Sequence, residues 1–280
     1  MITEEKTNPS IKKQRIFKFK AHEYLGEEDV VAVEAAVEIR IGSGPANSRT
    51  EENLAITMRT PGQDVDLAIG YLFTEGIITH NSQIKKGRSI DDHTVLIELD
   101  ESVKPDTSNQ SRHSYTSSSC GVCGKTSVDM IKTEPSFFPK LLGPKTGSSF
   151  LGTLPKKLFE SQSIFTRTGG NHAAGLFDLS GALVISAEDV GRHNALDKLI
   201  GKALQKDMIP IQDYVLLLSG RISFELVQKA VMAGIGFIAA IGAPSSLAIE
   251  LAKEHGITLV GFLRETSFNV YCGKVRISGI

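Results

Sequence analysis

Two of the three cysteines of this chain lie three positions apart, at Cys120 and Cys123 in the stretch YTSSSCGVCGK (115–125). A Cys-x-x-Cys pair can hold half of a zinc site, form a redox disulfide or supply a nucleophilic thiolate. A structural zinc site needs four ligands, and the third cysteine, Cys272, stands apart near the C-terminus. A composite zinc site would have to recruit histidines from distant segments, namely His113, His172 or His193.

A zinc deaminase of nucleosides combines a His-x-Glu element with a Cys-x-x-Cys element. In NHAAG, Ala174 occupies the position of the general-acid glutamate, and Ser119 stands where the deaminase motif has proline. The order of the two elements is also inverted. The sequence therefore does not support deamination, although a related fold stays open.

A thiol that carries sulfane sulfur as a persulfide needs exposure, mobility and a lowered pKa. Gly121, Gly124 and Lys125 suit these needs. A thioredoxin-type pair would follow the first strand of a small domain, whereas this pair follows a long polar segment, 101–120, which we interpret as a mobile loop. We therefore favour a nucleophilic thiol, with zinc binding and two thiols of no special role as open alternatives.

The composition bounds the class of protein. The chain has 280 residues with 31 basic and 32 acidic side chains, so a surface for nucleic acid is not expected. Its longest nearly apolar stretch is shorter than the roughly 20 residues of a membrane span, and its start has no apolar signal core. We expect a cytoplasmic protein without a disulfide framework.

Hydrophobic periodicity places the elements that must position these residues. The first twenty residues show no period and are interpreted as a flexible lead-in. Apolar alternation predicts strands at 29–41 and 53–60 and in HTVLIELD, and helical spacing from Val65 predicts a helix that stops at Gly76.

The second half of the chain follows a different pattern. A helix over 149–166 links the halves, and two apolar runs around Ser-Gly at 173–189 predict a hairpin. The short apolar runs YVLLLS, GFIAAIG and GITLVGFL alternate with helices at 223–234 and 245–254, which predicts a parallel sheet.

Ligands of parallel sheets bind at the carboxyl ends of the strands. Here those ends carry Ser219, Gly220 and Arg221, then GAPSS (242–246) and GFLRET (261–266). Small residues, hydroxyls and arginines suit a phosphorylated ligand, although Gly, Pro and Ser are also ordinary turn residues.

The densest polar cluster is EDVGRHNALDK (188–198). It places Arg192 and His193 at the start of a helix, and we expect its polar residues on the exposed side of that helix, where they would bind a ligand rather than only face solvent. His172, in TRTGGNHAAG (166–175), could approach the same cleft.

Several blocks together resemble the FdhD family of formate dehydrogenase accessory sulfurtransferases. They are SCGVCGK, TGGNHAAG, EDVGRHNALDK, SGRISFELVQKA, APSSLAIELA and GITLVGFLRETSFNVY, with DLAIGYLFTEGII in the first half. The resemblance runs in collinear order over roughly residues 30 to 272.

The resemblance implies a function. It implies that the protein accepts sulfur from a cysteine desulfurase and transfers it to the molybdenum cofactor in its bis-guanine-dinucleotide form, as a substrate and not a permanently bound cofactor, before insertion into formate dehydrogenase. Cys120 would bear the persulfide and Cys123 would assist. The family's dinucleotide-binding element falls on Phe262, Leu263, Arg264, Glu265, Thr266 and Ser267.

The family also implies a homodimer and an α/β fold, with a cytidine-deaminase-like three-layer domain built on a mainly parallel sheet and a smaller N-terminal α+β domain. We accordingly divide the chain into a lead-in (1–20), an α+β domain ending in the mobile Cys-x-x-Cys loop (21–148) and an α/β cofactor-binding domain (149–280). The competing hypotheses are a cofactor-binding chaperone without sulfur transfer and a zinc-dependent nucleotide hydrolase.

Overall fold

The computed structural model describes residues 8–105, 115–116 and 143–279. The chain begins with an antiparallel hairpin of two ten-residue strands, β1 (Ile11–Lys20) and β2 (Glu23–Ala32). The prediction of a flexible lead-in was therefore wrong for its second half. The apolar residues Ile16, Phe17 and Phe19 alternate only imperfectly with basic residues, so the sequence shows no clear period, yet β1 pairs with β2 along its whole length.

A mixed five-stranded sheet follows, in the order β5-β6-β3-β4-β7. The expected strand over 29–41 divides between β2 and β3, and two strands were not predicted: β5, and β7, which lies within the segment interpreted as a mobile loop. Helix α1 covers this sheet and ends two residues before Gly76, in agreement with the prediction. The bounds are β3 Ala35–Ser43, β4 Thr50–Arg59, α1 Asp64–Thr74, β5 Ile84–Asp91, β6 Thr94–Leu99 and β7 Tyr115–Thr116.

The second half contains a six-stranded sheet in the order β10-β9-β11-β12-β13-β14. The predicted hairpin is confirmed as β9 and β10. Only β11, β12 and β13 run parallel to one another, whereas the β10–β9, β9–β11 and β13–β14 pairs are antiparallel. The expectation of a mainly parallel sheet was therefore wrong, because the β9–β10 hairpin adds two antiparallel pairs beside the parallel core and β14 adds a third. The bounds are β9 His172–Phe177, β10 Leu183–Asp189, β11 Val215–Leu218, β12 Phe237–Ala240, β13 Thr258–Gly261 and β14 Asn269–Cys272.

Helices cover both faces of this sheet. Alternate strand residues point to opposite faces, so Phe177 and Leu217 pack against α2, whereas Leu176 and Leu216 pack towards α4, α5 and α6. The predicted three-layer arrangement is confirmed. The helices are α2 Ser148–Ser161, α3 Phe165–Thr168, α4 Arg192–Gln205, α5 Phe224–Met232 and α6 Ser246–Glu254; two short strands, β8 Thr146–Gly147 and β15 Ile277–Ser278, pair beside α2.

The two halves share one hydrophobic core. Helix α1 of the first half crosses α4 of the second at small residues, Gly70 and Gly201. A Cβ at Gly201 would overlap the carbonyl oxygen of Asp66, so this close approach requires glycine. Among the described residues no helix is long and apolar enough to cross a membrane.

Candidate functional site

The turns that follow β11, β12 and β13 lie side by side at one edge of the sheet. The Gly242 N–H donates to the Gly220 carbonyl (3.2 Å), and the Phe262 N–H donates to the Gly242 carbonyl (3.0 Å). A Cβ at Gly242 would stand 2.6 Å from the Gly220 oxygen, so glycine is required here. The predicted meeting of the three strand ends is confirmed, and we call this edge the rim.

His172 joins the rim from the first position of β9. Its ring packs on Gly220, where a Cβ would lie 3.0 Å from His172 Nδ1. The Ser219 hydroxyl accepts a hydrogen bond from the Ala173 N–H (2.8 Å), which fixes the strand end beside it. Burial, followed by the charges of Arg192 and Arg221, lowers the pKa of His172. His172 therefore enters the site as a neutral imidazole near pH 7.

The first turn of α4 supplies Arg192 and His193. His193 Nε2 lies 3.1 Å from Ser223 Oγ and 3.8 Å from Glu225 Oε2, both at the start of α5. Burial, followed by Lys229 and Arg192, lowers the pKa of His193 to about 4. Burial alone would raise the pKa of Glu225, but a hydrogen bond from Ser223 holds it below its usual value.

Arg192 is the group in this cluster that is least satisfied. Its buried Nε has no hydrogen-bond acceptor within the described part of the chain. A buried guanidinium N–H of this kind is costly to leave unpaired, and an anionic ligand is the natural acceptor. Arg221 is exposed at the adjoining strand end. The two arginines thus give one edge of a nearly neutral chain a local positive charge.

The rest of the 188–198 cluster is not exposed, contrary to the prediction. Asn194 retains 7%, Asp197 2% and Lys198 1% of side-chain exposure, and His193 itself only 7%. Sequence spacing could not show this burial, because the face that would be solvated on an isolated helix here meets α1 and the end of β4. These residues are structural, and of the cluster Arg192 and His193 lie closest to the rim.

Asp189 and Lys198 clamp the two halves together. Lys198 Nζ lies 2.7 Å from Asp189 Oδ2 and donates to the Thr60 carbonyl at 2.9 Å. The same Asp189 oxygen accepts from the Thr60 N–H (3.1 Å), and Asn194 donates to the Met58 carbonyl (2.8 Å). The end of β4 is therefore held against the start of α4. Gly191 is the N-cap of α4, and its N–H donates to Asp189 Oδ1 (2.8 Å).

A second buried network was missed by the sequence reasoning. Lys229 of α5 pairs with Asp197 (2.9 Å), donates to Thr74 Oγ1 (2.9 Å) and lies over the Tyr71 ring. Burial raises the pKa of Asp197, and Lys229 opposes this shift. Lys229 carried no signal beyond its place on a predicted helix, yet its charge helps to keep His193 neutral.

The segment 262–267 leaves the rim as an exposed turn. Phe262 is 44% exposed and adopts a φ of 52°, an unusual conformation for a bulky residue. Leu263 is fully buried and its N–H donates to the Ala240 carbonyl (2.9 Å), so this residue presents no surface to a ligand. Arg264 Nη1 donates to the carbonyls of Ile241 (2.9 Å) and Leu263, which ties this turn to the end of β12. The remaining residues of the segment, all exposed, are Glu265, Thr266 and Ser267.

Cys120 and Cys123 lie outside the described residues. The described element that precedes them most closely in the sequence is β7, whose Tyr115 and Thr116 pair in parallel with Ile56 and Thr57 of β4. Thr57 Oγ1 in turn lies 3.4 Å from Asn194 Oδ1 in the first turn of α4. Cys120 follows Thr116 by four residues, and four residues span at most about 14 Å. The strand that leads to the cysteines is thus anchored beside the helix that carries Arg192 and His193.

The third cysteine is accounted for by packing. Cys272 is half-buried on β14 and its thiol donates to the Ile257 carbonyl (3.1 Å). Burial raises the pKa of this thiol, which disfavours the reactive thiolate. Within the described ranges no group of three or more His, Cys, Asp or Glu side chains is placed to hold a metal ion.

Comparison with known families and structures gives concordant results. The model of the FdhD/NarQ family matches residues 32–278. Sulfur carrier protein FdhD of Streptomyces avermitilis is 46% identical over 265 residues, which cover 89% of each chain. Sulfur carrier protein FdhD of Sulfolobus acidocaldarius is 40% identical over 270 residues, covering 95% of this chain and 98% of the relative.

One solved structure shares the fold over almost the whole chain. It is described as a formate dehydrogenase accessory protein of Desulfotalea psychrophila, and it aligns with a TM-score of 0.75 at 24% identity, covering 96% of this chain and 100% of the other. The overall architecture is therefore that of this protein. The expected likeness to cytidine deaminases stays a prediction.

Proposed function

Because this chain belongs to the FdhD/NarQ family, we propose that it is a sulfurtransferase that carries sulfur as a cysteine persulfide and delivers it to the molybdenum cofactor in its bis-guanine-dinucleotide form, before that cofactor enters formate dehydrogenase. The relatives named as sulfur carriers support the carrier role. The observation that carries the proposal is the anchoring of β7, the strand that precedes Cys120, beside the helix that presents Arg192 to the rim.

The rim suits a ligand with several phosphates. Arginine binds phosphate oxygens bidentately, and Arg192 brings a buried N–H that finds no acceptor among the described residues. Gly220 and Gly242 let the rim turns pack closely, because a Cβ at Gly220 would meet the His172 ring and a Cβ at Gly242 would meet the Gly220 backbone. His172 and His193 stay neutral near pH 7, so the positive charge of the site comes from the arginines and does not depend on pH in that range.

The first chemical step loads the carrier. The Cys120 thiolate attacks the outer sulfur of a donor Cys-S-SH, the donor S–S bond breaks, and the donor cysteine leaves as a thiolate while Cys120 becomes Cys120-S-SH. The step exchanges one thiolate for another, so it needs no oxidant or reductant. We propose a cysteine desulfurase as the donor.

The second step unloads the sulfur. The terminal sulfur of Cys120-S-SH would leave as hydrosulfide towards the metal of the cofactor, which here is the substrate, when a second thiolate attacks the inner sulfur and the S–S bond breaks. Where Cys123 assists, its thiolate attacks the inner sulfur of Cys120-S-SH, a Cys120–Cys123 disulfide forms and hydrosulfide leaves towards the metal; a cellular thiol then reduces the disulfide. Formate dehydrogenase receives the sulfurated cofactor. We further propose a cytoplasmic homodimer.

Mass spectrometry of the purified protein tests the carrier step. The protein is incubated with a cysteine desulfurase and cysteine, and the peptide with both cysteines is analysed under non-reducing conditions. We expect one added sulfur that disappears in Cys120→Ala and persists in Cys123→Ala. Cys272→Ala is the matched control, since its thiol is half-buried and should not carry sulfur.

A cofactor-binding chaperone without sulfur transfer is the second candidate. It is favoured by the rim, which is built from described residues and does not require either cysteine of the pair. It predicts that a strain carrying Cys120→Ala keeps full formate dehydrogenase activity. No added sulfur on wild type, with an active desulfurase in the same tube, would replace the carrier by the chaperone.

A further inference from the structure

The β1–β2 hairpin carries an exposed aromatic cluster that the fold does not use. The strand register places Phe17, Phe19 and Tyr24 on one face near the turn, with exposures of 71%, 59% and 74%. The rings of Phe19 and Tyr24 contact one another, with 5.2 Å between their centroids. Opposite Phe17 stands Gly26, which leaves that ring uncovered. Large aromatic residues are seldom left together in water without a partner.

The hairpin is also poorly supported by its own chain. An isolated two-stranded ribbon is marginally stable in water. Its turn residues, Ala21 and His22, both have positive φ, which the two-residue turn demands but which neither residue favours. Within the described structure, its main packing on another element is the contact of β2 with α3. A protein surface against the aromatic face would supply the missing support.

The exposed area indicates a transient partner. Aromatic side chains bury roughly 150–250 Å² each, so the exposed parts of the three rings amount to roughly 400 Å². Stable interfaces bury about 800 Å² per partner, and weak encounters bury less. The hairpin alone therefore fits a partner that binds and leaves more closely than a permanent second copy.

The charged side chains beside the aromatic rings indicate the kind of partner. Lys13 pairs with Glu28 and Lys18 pairs with Glu27 across the hairpin. Arg15 shares the aromatic face, and among the described residues no carboxylate lies within ion-pair distance of it. The free charge beside the rings is thus positive. A complementary surface is apolar and bordered by carboxylates.

The base of the hairpin contacts the segment that follows β4. Ser10 Oγ donates to the Pro61 carbonyl (2.7 Å), just after β4, the strand that pairs with β7. Ala32, at the other end, lies against Gly170, two residues before His172. The hairpin therefore stands beside the strand that leads to Cys120, on the β9 side of the sheet.

We propose that the aromatic face of the β1–β2 hairpin docks the protein that donates sulfur to this chain, through an apolar surface bordered by carboxylates. The inference rests on the proposed carrier function. Docking here places the donor next to the chain that leads to the accepting thiol and leaves the turns after β12 and β13 open to the cofactor.

The test compares two routes of sulfur loading on the full-length protein. One route uses the cysteine desulfurase of the source organism with cysteine, and the other uses inorganic polysulfide, which needs no docking. The variants are Phe17→Ser/Tyr24→Ser and Arg15→Glu. Val275→Ser, which removes an apolar side chain that is 85% exposed elsewhere, is the matched control.

We expect the desulfurase-dependent kcat/KM for loading to fall at least tenfold in the aromatic variant and about threefold in Arg15→Glu, while polysulfide loading and the control stay at wild-type rates. Equal desulfurase rates in all variants would overturn the docking inference and leave the carrier function intact. Conversion of a wild-type dimer to monomers by the aromatic variant, seen by sedimentation, would overturn it in favour of a second copy. Failure of both routes on wild type would instead remove the carrier function.

Discussion

Replacing Lys198 by methionine should cost the protein much of its stability, although nothing in the sequence marks this lysine as buried. Lys198 is 1% exposed and Asp189 is fully buried, with 2.7 Å between their charged atoms. Removing one partner of such a pair leaves the other charge buried and unpaired, which costs about 3–5 kcal/mol. Methionine keeps the volume of the side chain, so little of this cost comes from a cavity.

Urea denaturation measures the effect. With a slope near 3 kcal/mol per M for a chain of this size, the midpoint should fall by about 1–1.7 M. Lys156→Met is the matched control, because Lys156 is 84% exposed and 4.0 Å from Glu160, and an exposed pair contributes about 0–1 kcal/mol.

A double-mutant cycle then isolates the pair. Asp189→Asn/Lys198→Met should be less destabilised than the sum of its single variants by at least about 1 kcal/mol, since neither charge is then left alone. Additive losses, or a loss below about 1 kcal/mol for Lys198→Met, would refute the reasoning that this pair clamps the two halves.

Two further predictions concern the site. The pKa of His193 is lowered from 6.5 to about 4 in the folded state, so between these values the unfolded chain binds the proton and stability falls as pH falls; from pH 7 to pH 5 this histidine should cost about 2 kcal/mol. His193→Gln, which can still bond Ser223, should lose about that much less over the same interval in urea titrations, and an identical pH profile would contradict the assignment. Arg221→Ala should weaken binding of a guanine nucleotide about tenfold by calorimetry while its free energy of unfolding stays within about 0.5 kcal/mol of wild type, because Arg221 is exposed; unchanged affinity would remove Arg221 from the site.

Local patterns predicted most elements of the second half. The runs that became β11, β12 and β13 are short, continuous and bounded by glycine, so their identity as buried strands could be recognised. The place of the β9–β10 hairpin in the sheet could not be recognised, because no local period records that a hairpin adds antiparallel to β11. The β1 strand was missed since its cations mask the alternation and no core covers it.

The candidate site, too, could be predicted from the sequence only in part. Strand ends and turn residues follow from local signals, so the rim with Gly220, Gly242 and Arg221 was predictable. The fate of the 188–198 cluster was not, because a polar helix start has the same sequence signature whether it faces water or a second sheet. Only the structure shows that Asp197 and Lys198 turn inwards, while the buried Nε of Arg192 has no acceptor in the part of the chain that the structure describes.

The burial of Asp197 and Lys198 means that most of the polar 188–198 cluster holds the two halves together instead of contacting a ligand. The arginines and histidines of the rim belong to the second half, whereas the strand that leads to the cysteines pairs with β4 of the first. The proposed carrier, which would present sulfur to a metal, needs a fixed distance between these two parts, because transfer falls steeply with misplacement. The Asp189–Lys198 pair fixes it by holding the backbone of Thr60 in place at one end of β4, while Asn194 touches Thr57 and holds Met58. Loosening this clamp should therefore impair delivery of sulfur to the cofactor more than loading of Cys120 from a small donor such as polysulfide, since only delivery depends on both halves at once.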